Sequence, residues 1–164
     1  AIPEVAILPY IILSICIAGL DLITKYQVQK TMDPCRSIPI IKNVFHITYV
    51  QNTGAAFSIL SGRIFLFISA SIIIISAITF ILIKYPIKQK ALGIALAMVL
   101  GGAAGNFIDR MRYGYVIDFL DFRIWPVFNV ADCAIVIGTI ILGYFLLFRL
   151  DSEKLEFKNG RRLD

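Results

Sequence analysis

The chain has 164 residues, 59% of them hydrophobic and only 16% charged, with a mean hydropathy of +0.82. A water-soluble domain is about half apolar and about a quarter charged, so the composition excludes one and points to an integral membrane protein. The net charge of +5 does not argue for nucleic acid. The cations sit in connections and in the tail, where membrane proteins carry Lys and Arg, and they form no basic stripe interleaved with aromatics.

The first apolar run, residues 5–24, is close to the roughly 20 residues that an α-helix needs to cross a bilayer. It is too long, and too poor in cleavage-site pattern, for a removable signal peptide; the opening Ala1 in place of Met predicts a trimmed or replaced start. Asp21 and Lys25 lie four apart near its outer end, in the favourable acid-before-base order. They predict a structural ion pair that tethers an outer lobe. That lobe is expected over residues 26–62, the largest non-membrane piece. Val44–Val50 is rich in β-branched and aromatic residues and predicts a strand. Gln51-Asn52-Thr53-Gly54 punctuates it as a turn, and Ala55–Leu60 predicts a short helix in the membrane interface.

The second span is predicted at 64–83 and the third at 91–107, joined by a tight connection around Pro86. The third carries Gly101-Gly102-Ala103-Ala104-Gly105, a small-xxx-small pattern that lets helix backbones approach closely in lipid. Close packing within the bundle is the main expectation; leaving room for a substrate's own helix is a secondary one. Asn106 and Arg110 follow on one helix face. Arg110 either points into an outer pocket shared with Asp132 or snorkels to the headgroups.

Between the third and fourth spans lies the segment Asp118-Phe-Leu-Asp-Phe-Arg-Ile-Trp-Pro-Val-Phe-Asn-Val-Ala-Asp132. An ionisable residue close to an apolar span is costly, so each one is a functional-site hypothesis. Asp132 stands three residues after Asn129, a spacing that predicts Asn129 as helix N-cap and Asp132 in the first turn, near the positive end of the helix dipole. Capping and acid–base chemistry are compatible. Asp118 and Asp121 are equally available on physical grounds as the partner of Asp132. The fourth span is predicted at 128–150, and residues 151–164 as a polar, frayed tail. No internal repeat is present, so residues 1–164 form one domain.

Four spans put both termini on one side. Lys84, Lys88, Lys90, Arg149, Lys154, Lys158, Arg161 and Arg162 are packed into a short loop and the tail, whereas Lys25, Lys30, Arg36, Lys42, Arg63, Arg110, Arg112 and Arg123 are spread over two longer connections. Dense cations in short loops mark the cytoplasmic side, so cytoplasmic termini are expected. Cys16, Cys35 and Cys133 make no disulfide framework, and a Cys35–His46 pair is a remote alternative. With one histidine and no HExxH or CxxC pattern, neither a metal nor another cofactor is expected. Two other classes compete with an enzyme: a proton or ion conduit using Asp21 and Asp132, and a structural partner subunit. Carboxylates that cluster at one membrane face, instead of tracking across it, argue against the conduit.

Asp21-x-x-x-Lys25, Gln51-Asn52-Thr53-Gly54-Ala55-Ala56-Phe57, Gly105-Asn106-x-x-Asp109-Arg110, Val116-Ile117-Asp118-Phe119 and Phe128-Asn129-Val130-Ala131-Asp132 resemble, in this order, the signature blocks of the bacterial lipoprotein signal peptidases (signal peptidase II). The resemblance implies a four-helix membrane bundle with an outer β-cradle and an interfacial helix, in the bacterial cytoplasmic membrane, with the active site at the outer face. It implies an intramembrane aspartyl peptidase that cleaves a prolipoprotein just before a cysteine already carrying diacylglycerol, and that is blocked by globomycin. It assigns the catalytic pair to Asp118 and Asp132, and places Asn52, Gly54, Asn106, Arg110 and Asn129 around the substrate. The expected partners are this lipidated substrate and membrane lipid, with a monomer as the default.

Overall fold

A computed structural model describes residues 7–54 and 64–160, with side chains through residue 148. Among these, four helices are long and apolar enough to cross a membrane: α1 (Leu8–Thr31), α2 (Ile64–Lys84), α3 (Lys90–Tyr113) and α4 (Val130–Gly160), the last through its segment Val130–Phe148. Strands β1 (Ser37–Ile41), β2 (Phe45–Asn52) and β3 (Val116–Asp121) form an antiparallel sheet in the order β1-β2-β3. The chain is thus a membrane bundle carrying a small sheet. The interfacial helix expected at Ala55–Leu60 lies outside the described residues.

α3 is the central helix. Its apolar window is 61% buried, against 17% for each of the other three. Ile15, Phe65, Ile73, Ile140 and Leu147 on those helices are exposed, forming the kind of apolar surface that only lipid can cover. Small residues let the neighbours close on α3. A Cβ on Gly101 would lie 2.6 Å from the Ser14 carbonyl oxygen of α1, and one on Gly102 would lie 2.5 Å from the Ala131 carbonyl oxygen of α4. The Ser14 hydroxyl adds an interhelical bond to the Ala97 carbonyl at 3.0 Å. The glycine face is therefore filled by α1 and α4, and the expectation that it leaves room for a substrate helix is corrected.

Three helix ends differ from expectation, each for a physical reason. α1 continues past residue 24 to Thr31 because Lys25 turns inward to buried anions and Val28 and Met32 pack on Tyr49, Ile117 and Phe119 of the sheet. α3 continues past residue 107 to Tyr113 because Asp109 is paired within the bundle. It stops at Gly114, whose left-handed backbone (φ 79°) caps the helix, its N–H donating to the Arg110 carbonyl at 3.1 Å. α4 continues to Gly160, so residues 151–160 are helical and the frayed tail is corrected there. Glu153, Lys154, Leu155, Glu156 and Lys158 are good helix formers, with no Pro or Gly among them.

The sheet also differs from a lobe confined to residues 26–62. Its third strand comes from the connection after α3, with Val50 opposite Asp118 and Asn52 opposite Val116. Asp118 consequently stands on a strand, with its neighbours fixed by the sheet. Residues 26–31, assigned to the lobe, belong to α1.

Gly102→Ala is expected to destabilise the bundle by about 1–3 kcal/mol, because the new methyl meets backbone and cannot be accommodated by a rotamer change. Gly143→Ala, where an added Cβ meets nothing within 4 Å, should leave stability unchanged or raise it slightly. Thermal unfolding midpoints of both variants in detergent check the pair.

Candidate active site

Asn129 caps α4 as its spacing predicts. Its Oδ1 accepts the Asp132 N–H at 2.9 Å, and Asp132 Oδ2 accepts the Asn129 N–H at 3.3 Å. This is the reciprocal arrangement of a capping box. It leaves the Asn129 amide nitrogen pointing away from the helix, where it donates to Asp118 Oδ1 at 2.6 Å, to Asn106 Oδ1 at 3.2 Å and to the Ile117 carbonyl at 3.3 Å. One fully buried asparagine thus joins the two aspartates singled out from sequence.

Each remaining carboxylate oxygen faces another amide. Asn106 Nδ2 donates to Asp132 Oδ1 at 2.8 Å, and Asn52 Nδ2 donates to Asp118 Oδ2 at 2.8 Å. The Asn52 orientation is set by Gly54, whose backbone N–H donates to Asn52 Oδ1 at 2.9 Å. All five residues expected near the substrate therefore have a position. Asn52, Asn106 and Asn129 touch the aspartates, Gly54 holds Asn52, and Arg110 lies half-buried above Asn106. The Arg110 guanidinium lies 5.2 Å from the centroid of the Phe67 ring and 3.5 Å from the Asn106 carbonyl. It forms no ion pair among the described residues.

Asp121 is separated from this cluster by strand geometry. Side chains three apart on a strand project from opposite faces, and Asp121 accepts from the Thr48 hydroxyl at 2.6 Å and from Arg123 N–H and Nη1 at 2.8 and 3.1 Å. Burial opposes its ionised form, but the Thr48 and Arg123 donors outweigh that and hold its carboxyl below the usual range. Asp118 is the reverse case. Burial and the neighbouring Asp132 charge push its carboxyl up to about 7, against the opposing pull of the Asn52 and Asn129 bonds and Lys25. A buried carboxyl that holds its proton near neutrality, beside a second carboxyl, is the arrangement of an acid–base pair.

Below the pair lies a buried ionic cluster of which sequence reading found two members. Lys25, 1% exposed, meets Asp21 Oδ2 at 2.6 Å and Asp109 Oδ2 at 2.9 Å, and donates to Asn106 Oδ1 at 2.9 Å. Asp109 is the missed member. The signal available for it was its place at the end of an apolar run, where an acid needs a cation at the same depth. The expected Asp21–Lys25 ion pair is present; it ties α1 to α3, through Asp21 Oδ1 and the Ala131 N–H at 2.8 Å to α4, and through Asp109 Oδ2 and the Ile117 N–H at 3.1 Å to strand β3 of the sheet. The remote nucleophile finds no support in His46, whose Nδ1 meets the Ser37 hydroxyl at 3.1 Å; Cys16, Cys35 and Cys133 are free thiols.

A four-helix bundle of membrane-spanning length, with a strand-borne and a helix-borne aspartate joined through Asn129 at one end, defines the class: a multi-pass membrane protein with a buried carboxyl pair. Comparison with known proteins makes the family specific. The family model described as signal peptidase (SPase) II matches residues 13–148. Relatives include the lipoprotein signal peptidase of Halothermothrix orenii, 51% identical over 149 residues (89% of this chain, 97% of that protein). That of Moorella thermoacetica is 44% identical over 149 residues (91% and 99%). A solved bacterial membrane enzyme superposes with a TM-score of 0.80 at 36% identity, covering 85% of this chain and 87% of its own. The chain belongs to the signal peptidase II family of bacterial membrane aspartic peptidases.

Because the folded state holds the Asp118 proton up to about pH 7 while the unfolded chain releases it near 4, wild-type stability falls as pH rises through that window. Asp118→Asn removes this slope. The unfolding midpoint of the variant relative to wild type should therefore be higher at about pH 8 than at about pH 4.5, read by thermal unfolding in the same detergent.

Proposed function

We propose that this chain removes the signal peptide from diacylglyceryl-modified prolipoproteins just before the lipidated cysteine, using Asp118 and Asp132 to activate water. The observation that carries the reading is the Asn129 bridge, whose side-chain amide donates to Asp118 Oδ1 and whose backbone N–H donates to Asp132 Oδ2, coupling the two carboxyls at the start of α4. It is supported by the names of the relatives, which are lipoprotein signal peptidases. Cytoplasmic termini, argued from the dense cations of the Lys84–Lys90 loop and the tail, put this end of the bundle at the outer face of the cytoplasmic membrane. A signal-peptide helix then lies against the bundle, with the lipid tails of its substrate still in the bilayer.

Two neighbouring carboxyls in a desolvated site share one proton. Asp118 holds it, so the base role falls to Asp132, which takes a proton from water as the water oxygen attacks the scissile carbonyl. Asp118 donates its proton to the carbonyl oxygen. Collapse of the tetrahedral gem-diol breaks the C–N bond; the proton held by Asp132 passes to the leaving amine of the lipidated cysteine, and one hydroxyl proton returns to Asp118 as the new carbonyl forms. No acyl-enzyme forms. Asn52, Asn106 and Asn129 hold the carboxyls in place with donors already oriented, which limits reorganisation during reaction. Arg110, packed on Phe67 and without a carboxylate partner among the described residues, holds a substrate backbone carbonyl.

The test is cleavage of a diacylglyceryl-modified prolipoprotein by purified enzyme in detergent. Asp118→Asn and Asp132→Asn should each abolish turnover, while Asp121→Asn, from the other face of β3, should keep most of it. Arg110→Ala should raise KM more than it lowers kcat. Activity should fall as pH rises through about 7, where Asp118 loses the shared proton. Full activity of Asp118→Asn would return the chain to the conduit or structural alternatives, and an Arg110→Ala enzyme with wild-type kinetics would remove the carbonyl-holding role.

A further inference from the structure

Lys25 is too deep to touch substrate, yet every one of its bonds leads to the reacting pair. An ammonium has three N–H donors and no acceptor. Here it is in ion-pair contact with Asp21 and Asp109 at 2.6 and 2.9 Å and donates to the Asn106 side-chain carbonyl at 2.9 Å. The two anions are themselves anchored to backbone. Asp21 Oδ1 accepts the N–H of Ala131 at 2.8 Å, and Asp109 Oδ2 accepts the N–H of Ile117 at 3.1 Å. Ala131 immediately precedes Asp132, and Ile117 immediately precedes Asp118. The third route passes through a side chain. Because Lys25 can only donate, the Asn106 amide must turn its oxygen to Lys25 and its nitrogen to Asp132 Oδ1, 2.8 Å away.

We propose that Lys25 is a positioning residue for the aspartate pair, holding Asp118 and Asp132 by the backbone on either side and locking Asn106 as a donor to Asp132. This inference rests on the peptidase reading above and deepens it. A purely stabilising ion pair is a poorer account of the same contacts. Buried ionic clusters contribute little net stability compared with apolar side chains of similar volume, whereas this one converts a single charge into fixed geometry at both reacting groups. The central helix is shaped for it as well: a Cβ on Gly105 would lie 2.5 Å from Asp21 Oδ2, so α3 carries no side chain where Asp21 enters.

The test is the double variant Lys25→Met, Asp109→Asn. It removes one cation and one anion together, so the net charge of the cluster is unchanged, and the amide oxygen at position 109 can still accept the Ile117 N–H. Purified protein is checked for folding by thermal unfolding and assayed on the lipidated prolipoprotein. The expected result is a kcat lower by on the order of 10- to 100-fold, the scale on which small misplacements act, with KM little changed. The pH–rate profile should also move to higher pH, because Asn106, no longer locked as a donor to Asp132, supports the ionised pair less. A folded double variant with wild-type kcat and pH profile, or with a raised KM alone, would overturn the proposal.

Gly105→Ala is measured alongside and decides the matter if the double variant does not fold. It leaves every charge in place but pushes Asp21 off its partners, so a fall in kcat at near-constant KM supports positioning and wild-type kcat refutes it. Turnover by Asp118→Asn or Asp132→Asn in the same assay would instead sink the peptidase reading itself, whatever the Lys25 variants do.

Discussion

The structure depends on one buried charge. Lys25 enters the bundle from α1 at a level where an unpaired ammonium would be costly, and its neutralisation by Asp21 and Asp109 joins α1 to α3. From there the same carboxylates reach the first turn of α4 and the start of β3 through backbone N–H groups. The helices of a membrane bundle have little hydrophobic drive to associate, since lipid is as apolar as their side chains. Polar contacts and close backbone approach take over that task. In this protein the two meet: the glycines of α3 that admit α1 and α4 lie next to the ionic cluster that ties them.

Built on that base, the two carboxyls proposed to react need little further support. Asp132 is held by its own helix cap, and Asp118 by a strand that the sheet fixes in register with β2. Asn129 serves as cap on one side and as bridge on the other. Three asparagines surround the carboxyls, and each has its amide oriented by a group that can only donate: the Gly54 N–H, the Asp132 N–H and Lys25. Such a cage presents fixed dipoles to the charge that shifts in the proposed reaction, which is where a preorganised site has its advantage over water.

Asp118 shows the energetic consequence. A carboxyl on a solvated loop would stay near its ordinary value and contribute nothing unusual. Set on a buried strand and facing a second carboxyl, it holds its proton to about pH 7. That arrangement costs stability at neutral pH, and the fold sustains it through the amide donors and the nearby cation. Asp121, with the same chemistry three residues on, is turned the other way and satisfied by Thr48 and Arg123.

What the sequence determined alone is what local spacing and composition encode. Four apolar runs of spanning length define the membrane bundle, and the three-residue step from Asn129 to Asp132 specifies the helix cap. The i, i+4 step from Asp21 to Lys25 specifies their pairing, because each of these interactions closes within one turn of chain. The order of the signature blocks was legible too, and it carried the family. Only tertiary structure decided the rest. Hydropathy ended α1 before Lys25 and α3 before Asp109, because a charge reads as an end until its partner is known. That partner is supplied by another helix. Lys25 and Asn106 are 81 residues apart, and Asp21 and Ala131 are 110 apart. The choice between Asp118 and Asp121 likewise needed a strand whose alternation is invisible until β3 pairs with β2, since no short-range pattern says which face of a segment will be covered.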